Sequence, residues 1–500
     1  MKGRHVKKIC FVAVLALLSA AVLGASFDRD TYYKKVLGCW NGKVIGGALG
    51  MPREGAWWEN QLREFPVFPG YLTGVKCGWS FYRDHQTVPE DGEWTRVTFR
   101  CSLPGFRPDT TVPSPIIGIS PENYDRPVHL QVKNIRITSH DIPLTDEDFR
   151  AFNACKYEDG CFDVNSAYGG ERSWIQLADY RKMEGVKPGE PFEIQADIRY
   201  VSGENRIGLA FDYYQTGVNG FGPDDDTSYE IVGLLALEQF GPAVTSENIG
   251  ELWLKLLPLN PNGPLAEEIA FGRMQKGIMP PESGNHDVGN AIGGQMKGEI
   301  WGLVCPGRPG LAAEYARRDG VVAHKEDGVY GEMFVAAMIS EAFVESDVKK
   351  LIDTGLSVIP ADSKYARMVR RVIDEYESGR TWAQILRDVK KEYPDMCDPV
   401  YPECAIITLA LLEGKGDFDY TVITAFYCGS DTDCDTATVG AVIGTVIGYD
   451  AIPDRWKEPI HNDFRCFVKG YENWQITELC RRICRQGDRV MKYHGRTGRF

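Results

Sequence analysis

At 500 residues, with 43% apolar and 25% charged side chains, the chain is globular and long enough for more than one domain. Its formal charge of −14 argues against nucleic acid as a partner, because a surface that follows phosphates needs clustered Lys and Arg. Polyanionic substrates are disfavoured more weakly, since a local basic pocket fits inside an acidic protein.

Residues 1–25 read as a secretory leader. Lys2, Arg4, Lys7 and Lys8 precede an apolar run from Ile9 to Leu23, and the small residues Gly24, Ala25 and Ser26 follow. That run is shorter than the roughly 20 residues needed to span a bilayer. The expectation is an exported protein, periplasmic or secreted, with no stable membrane insertion. Of the 14 cysteines, Cys10 lies in the leader, so the remaining 13 cannot all pair internally. Cys155 and Cys161, flanking a polar loop, are the expected disulfide; Cys480 and Cys484 would share one face of a helix. No C-x-x-C pair is present, which argues against structural zinc.

Residues 26–56 form the first part of a helical domain. Gly38, Gly42, Gly46, Gly47, Ala48 and Gly50 recur at three- and four-residue steps, the pattern of a helix packed very close to a neighbour, ending near Pro52. From 57 to 214 the character changes. Trp94 to Leu103, Val128 to Thr138 and Phe192 to Tyr200 alternate or cluster β-branched and aromatic residues between turn residues, which predicts an inserted β-sandwich of jelly-roll type. Residues 215–500 return to helical periodicity, with helices expected over Tyr229 to Gln239, Leu311 to Arg318, Gly331 to Val344, Lys364 to Tyr376, Trp382 to Tyr393 and Thr436 to Ile447. No run of alternating strands recurs in this second part, which reads as mainly α.

Two acidic clusters precede expected helices: Asp224, Asp225, Asp226 and Thr227, then Asp431, Thr432, Asp433, Cys434 and Asp435. Capping and the helix dipole account for one such cluster. Two clusters of adjacent carboxylates in one helical body exceed what capping requires, and bound cations would relieve their repulsion. Carboxylates and hydroxyls are hard ligands, so magnesium, manganese or calcium is expected rather than copper or zinc.

Three ordered stretches carry a resemblance: Gly46-Gly47-Ala48-Leu49-Gly50-Met51-Pro52-Arg53-Glu54, Asp225-Asp226-Thr227, and Gly429-Ser430-Asp431-Thr432-Asp433. Together they resemble the ADP-ribosylglycohydrolase family (dinitrogenase reductase-activating glycohydrolase-like). The resemblance implies an all-α domain holding two Mg2+, with Mn2+ as the alternative ion. It implies Asp224, Asp225, Asp226, Asp431, Asp433 and Cys434 at the metals and Glu54 and Asp225 as catalytic residues. Asp224 stands where the family usually has Thr or Ser, Cys434 replaces a frequent Thr, and Gly47 replaces a frequent Asp. His324, Asn290, Tyr330 and Gly331 match segments that line the family's substrate site, although His324 equally fits a helix C-terminal cap.

The implied reaction is hydrolysis of an N- or O-glycosidic bond to ribose or a related furanose through an oxocarbenium-like transition state. Because the chain is expected to be exported, a small-molecule or glycan substrate is as natural as an ADP-ribosylated protein. Two alternatives stay open: an exported glycan-degrading glycosidase on the same fold, and a non-catalytic sugar- or ADP-ribose-binding protein. The aromatics of the insert, Trp57, Trp58, Trp79, Tyr82 and Trp94, fit either sugar stacking or a sandwich core. Oligomeric state has no signature in the sequence.

Overall fold

The computed structural model describes residues 28–51, 75–76, 81–103, 111–119, 127–152, 155–166, 173–183, 185–186, 190–215, 221–258, 265–393 and 399–495. It joins an all-α domain to an inserted β-sandwich. The first helix, α1 (Arg29–Gly50), starts on Asp28, whose carboxylate accepts from the Thr31 amide. Among the described residues the strands that follow are β1 (Val75–Lys76), β2 (Phe81–Thr87), β3 (Thr95–Ser102), β4 (Thr111–Ile119), β5 (Val128–Ile137), β6 (Phe149–Phe152), β7 (Cys155–Glu158), β8 (Cys161–Ser166), β9 (Trp174–Leu177), β10 (Pro191–Gly203) and β11 (Arg206–Gln215).

These strands make two antiparallel sheets. One runs β1-β11-β4-β9-β6 with β2 also on β11; the other runs β3-β10-β5-β8-β7. Strand alternation builds the layer between them. Along β10, Phe192, Ile194, Ala196 and Ile198 are buried, whereas Glu193, Gln195, Asp197 and Arg199 face outward. Val97 and Phe99 of β3 and Leu130 and Val132 of β5 continue the same core. Trp94 stays outside it, its ring 4.0 Å from the Lys133 ammonium and 5.0 Å from the Arg199 guanidinium. Trp57, Trp58, Trp79 and the Tyr82 side chain lie outside the described residues.

The expected Cys155–Cys161 disulfide is not formed; both are free. The β7–β8 register explains why, because Cys155 faces Val164 and Cys161 faces Glu158. Three strand steps of about 3.3 Å separate the two positions, beyond disulfide reach.

The remaining helices are α2 (Asp225–Phe240), α3 (Ser246–Leu256), α4 (Leu265–Gln275), α5 (Glu299–Leu303), α6 (Pro309–Gly320), α7 (Glu326–Glu341), α8 (Val348–Ser357), α9 (Lys364–Glu377), α10 (Trp382–Glu392), α11 (Tyr401–Gly414), α12 (Phe418–Cys428), α13 (Thr432–Ile447), α14 (Asp454–Lys457) and α15 (Ile476–Tyr493). This mainly helical part also contains a small hairpin, β12 (Asp463–Arg465) with β13 (Asn473–Gln475). It receives the chain returning from the sandwich through a bridge between Phe221 and Phe464. Among the described residues no helix is long and apolar enough to cross a membrane.

The contact that organises the helical domain is α1 on α13. A methyl group at Gly38, Gly42, Gly46 or Gly50 would lie 2.2, 1.9, 2.0 or 2.2 Å from the carbonyl oxygens of Gly444, Gly440, Thr436 and Thr432 respectively. The two backbones therefore touch along four turns, with the Thr436 hydroxyl the side-chain group placed in the seam. Thr436 Oγ1 adds a hydrogen bond to the Gly46 carbonyl at 2.7 Å. The antiparallel register sets the end of α1 beside the start of α13.

Candidate metal centre

The two acidic clusters sit in the first turns of α2 and α13, not in loops ahead of them: each helix starts four residues earlier than periodicity suggests. Asp224 and Asp431 are the residues preceding the helices, and Asp225, Asp226, Asp433 and Cys434 lie in the first turns. There the amides and the positive end of the dipole face anionic groups. The approach to α13 is made by Gly429 and Ser430, both left-handed at φ 77° and 64°. Such a φ is unfavourable for serine, but Ser430 Oγ donates to the buried Glu403 carboxylate of α11 at 2.7 Å and holds the turn.

The helices bring the clusters together. Ligand atoms of Asp224, Asp226 and Asp433 lie within 4.8 Å of one another, as do those of Asp225, Asp226 and Cys434, and those of Asp431, Asp433 and Cys434. All six residues are buried; Asp431 retains the most exposure, at 7%. Both oxygens of Asp224 and of Asp226 are buried, with only the neighbouring acid Asp225 and the weak donor Cys434 as hydrogen-bonding side chains among the described residues. Buried carboxylates in that state demand a proton or a cation. Burial, reinforced by Asp226 and Asp225, pushes the Asp224 carboxyl well above the usual range. Burial likewise raises Asp226, to about 7, against the opposing pull of Lys43. The all-oxygen group Asp224, Asp226 and Asp433 fits a hard divalent ion.

One cation is built in beneath the cluster. Lys43 of α1 is fully buried, with its ammonium 3.0 Å from Glu230, 3.1 Å from Glu299, 3.8 Å from Asp226 and 2.8 Å from the Met296 carbonyl oxygen. Burial opposes its charge, but the three carboxylates outweigh burial and hold its pKa well above the ordinary value. This lysine was missed in the sequence, although a charge within an otherwise small and apolar glycine helix is a signal that could have found it.

A second buried network surrounds His324. Its Nε2 is 2.7 Å from Glu267 Oε1, and Lys297 is 3.4 Å from the same oxygen. Burial alone would raise Glu267, but His324 and Lys297 outweigh it and hold the carboxyl at about 2. Burial pushes the His324 imidazole below its usual value. Asn290 Oδ1 accepts from the Gly328 amide at 3.3 Å, and Tyr330 is partly exposed. Gly331 packs against Gln295, Val400 and Tyr365. Glu54 lies outside the described residues.

Gly47 also finds a physical reason. A Cβ there would meet the Phe221 ring at 2.8 Å and Asp224 Oδ2 at 3.4 Å. The phenyl ring fills the space an aspartate would occupy, and an added carboxylate would oppose Asp224.

A family model for ADP-ribosylglycohydrolase matches residues 182–490. The chain belongs to the ADP-ribosylglycohydrolase family. The match spans β10, β11 and α2–α14 and most of α15, and does not include α1. A solved structure of an ADP-ribosylglycohydrolase-related protein complex is similar at 19% identity and a TM-score of 0.39, over 54% of this chain and 87% of that one. No curated protein matches. Membership of this family places the chain among glycohydrolases.

Proposed function

We propose that the protein is a magnesium-dependent glycohydrolase acting on an N- or O-glycosidic bond to ribose or a related furanose. The observation that carries this reading is the convergence of Asp224, Asp226 and Asp433, buried and within 4.8 Å, from the starts of two helices. Asp224, Asp226 and Asp433 would hold one ion, and Asp225, Asp431 and Cys434 would complete a second position. A bound divalent ion supplies positive charge to sugar hydroxyls and to an attacking water. Asp431, at the most exposed edge of the cluster, orients the substrate hydroxyls. Lys43 stabilises the ionised forms of Asp226 and its neighbours. Glu54, three residues past Met51, is assigned the proton-transfer role together with Asp225, on the motif they complete. His324, Asn290, Tyr330 and Gly331 are assigned to the substrate side on the same ground.

The leader-like residues 1–25 favour an exported substrate encounter, and hence a glycan, nucleoside or glycoconjugate over an intracellular ADP-ribosylated protein. The test is release of free sugar or ADP-ribose from ribosides, arabinosides and ADP-ribosyl conjugates, with and without Mg2+. Mg2+-dependent release that Asp226→Asn and Asp431→Ala abolish supports the reading. Metal-dependent ligand binding without release from any of these compounds would leave a sugar-binding protein instead.

A further inference from the structure

We propose that Cys434 makes the second metal position thiol-ligated, so that the centre is mixed: a hard ion on the all-oxygen group and a borderline ion such as Zn2+, Co2+ or Fe2+ on the Cys434 side. This rests on the metal-dependent reading above and refines which ions the site holds. Two of the three candidate groups contain the Cys434 sulfur, with Asp225 and Asp226 on one side and Asp431 and Asp433 on the other; the third has oxygen donors alone. The sulfur is buried, at 3% exposure. It lies within 4.8 Å of an Asp226 oxygen, towards which its thiol is directed as a hydrogen-bond donor, and both Asp226 oxygens are buried. A second sulfur, Met296 Sδ, is 3.9 Å from Cys434 Sγ.

The chemistry of these donors separates the two positions. Thiolate is a poor partner for Mg2+ and Ca2+, which take oxygen, and a strong one for zinc and its first-row neighbours. Zinc bonds of about 2.3 Å to sulfur and 2.0–2.2 Å to oxygen set tetrahedral ligand atoms about 3.5 Å apart, within the spacing available here. On binding, the Cys434 sulfur forms the metal bond and its proton passes to solvent. The all-oxygen group offers no such selectivity. Asp226 belongs to both kinds of group, and its two oxygens allow it to bridge them.

The experiment uses the full chain, stripped of metal, as wild type, Cys434→Thr and Cys434→Ser. Cobalt(II) is titrated in with Mg2+ present, and absorbance is read for the thiolate-to-cobalt charge-transfer band; Zn2+ affinity is measured by calorimetry. Wild type is expected to develop the band at one equivalent, and both variants to lack it. Partners one step removed from a metal are worth about 10- to 100-fold in affinity, so losing a direct ligand is expected to weaken Zn2+ by at least about tenfold. Mg2+ affinity is expected to change by less than about twofold, because oxygen ligands remain. Cobalt binding to wild type without the band, unchanged Zn2+ affinity in both variants, or no Zn2+ or Co2+ binding would each overturn the proposal. The band without sugar release would leave thiol ligation standing and remove the proposed activity; sugar release without the band would do the reverse.

Discussion

Lys43 and Glu267 show how single interior charges are made tolerable, and each gives a measurable expectation. Replacing Lys43 with Met leaves Glu230 and Glu299 buried without their cation. Breaking such a pair typically destabilises by about 3–5 kcal/mol, so Lys43→Met is expected to lower the denaturant midpoint strongly, while Lys43→Met combined with Glu230→Gln recovers part of the loss. Glu267 is ionised down to about 2 in the folded state against an ordinary 4.5. A depressed carboxyl stabilises the fold above its unfolded value and loses that contribution as pH falls from 4.5 towards 2. The shift corresponds to a contribution on the order of 3 kcal/mol. Denaturant melts from pH 6 to 3 should show wild type losing about half or more of this increment, and Glu267→Gln, already without it, changing less over the same range. At Ser430 the left-handed backbone and the Glu403 hydrogen bond act against each other. Ser430→Ala keeps the strain and removes one of the hydrogen bonds to the buried carboxylate, with an expected loss of about 0.5–1.5 kcal/mol in stability.

At the scale of elements, the α1–α13 contact leaves no space for a side chain. Gly42→Val would drive a methyl group against the Gly440 carbonyl, where Cβ alone is 1.9 Å away. The helices would have to separate, and the expected outcome is a loss above about 4 kcal/mol or failure to fold, read by circular dichroism and thermal melting. The glycine spacing was legible in the sequence because close packing needs the same small residue on every turn. The three strands chosen from alternation coincide closely with β3, β5 and β10, since each has one buried and one solvated face. Helices buried on most sides were harder to see. In α11, Tyr401–Gly414, almost every residue is buried, so no apolar stripe marks its period. The acidic motifs were legible as a motif, but their inclusion within the first helical turns was not, because adjacent carboxylates read locally as a loop. Lys43, Glu230, Glu299, Glu267 and Lys297 meet across distant elements, and no local pattern joins them.

For the whole molecule, the buried carboxylates predict coupling between ion binding and stability. Filling the centre removes repulsion in the folded state alone, so saturating divalent ion at about 100 times its dissociation constant should stabilise by about 2.7 kcal/mol per site. Melting after chelation should be lower and should rise with Mg2+, and Asp226→Asn should blunt that response. The sandwich enters and leaves the helical domain beside this centre: Gly50 abuts Thr432, and Phe221 abuts Gly47 and neighbours Asp224 in sequence. The seat of α1 also has a consequence in time. Gly42 meets Gly440 at a very long sequence separation, so the glycine face of α1 has no partner until α13 has been made, although Lys43 on the same helix can already pair with Glu230 and Glu299. Contacts of such long sequence separation close late, whereas the described sandwich strands pair only with one another, all within β1–β11, and can form before α13 exists. A chain interrupted before Thr432 would therefore carry an assembled sandwich and an N-terminal helix whose glycine face lies open. Docking of that face on α13 would then set the end of α1 beside the second acidic cluster.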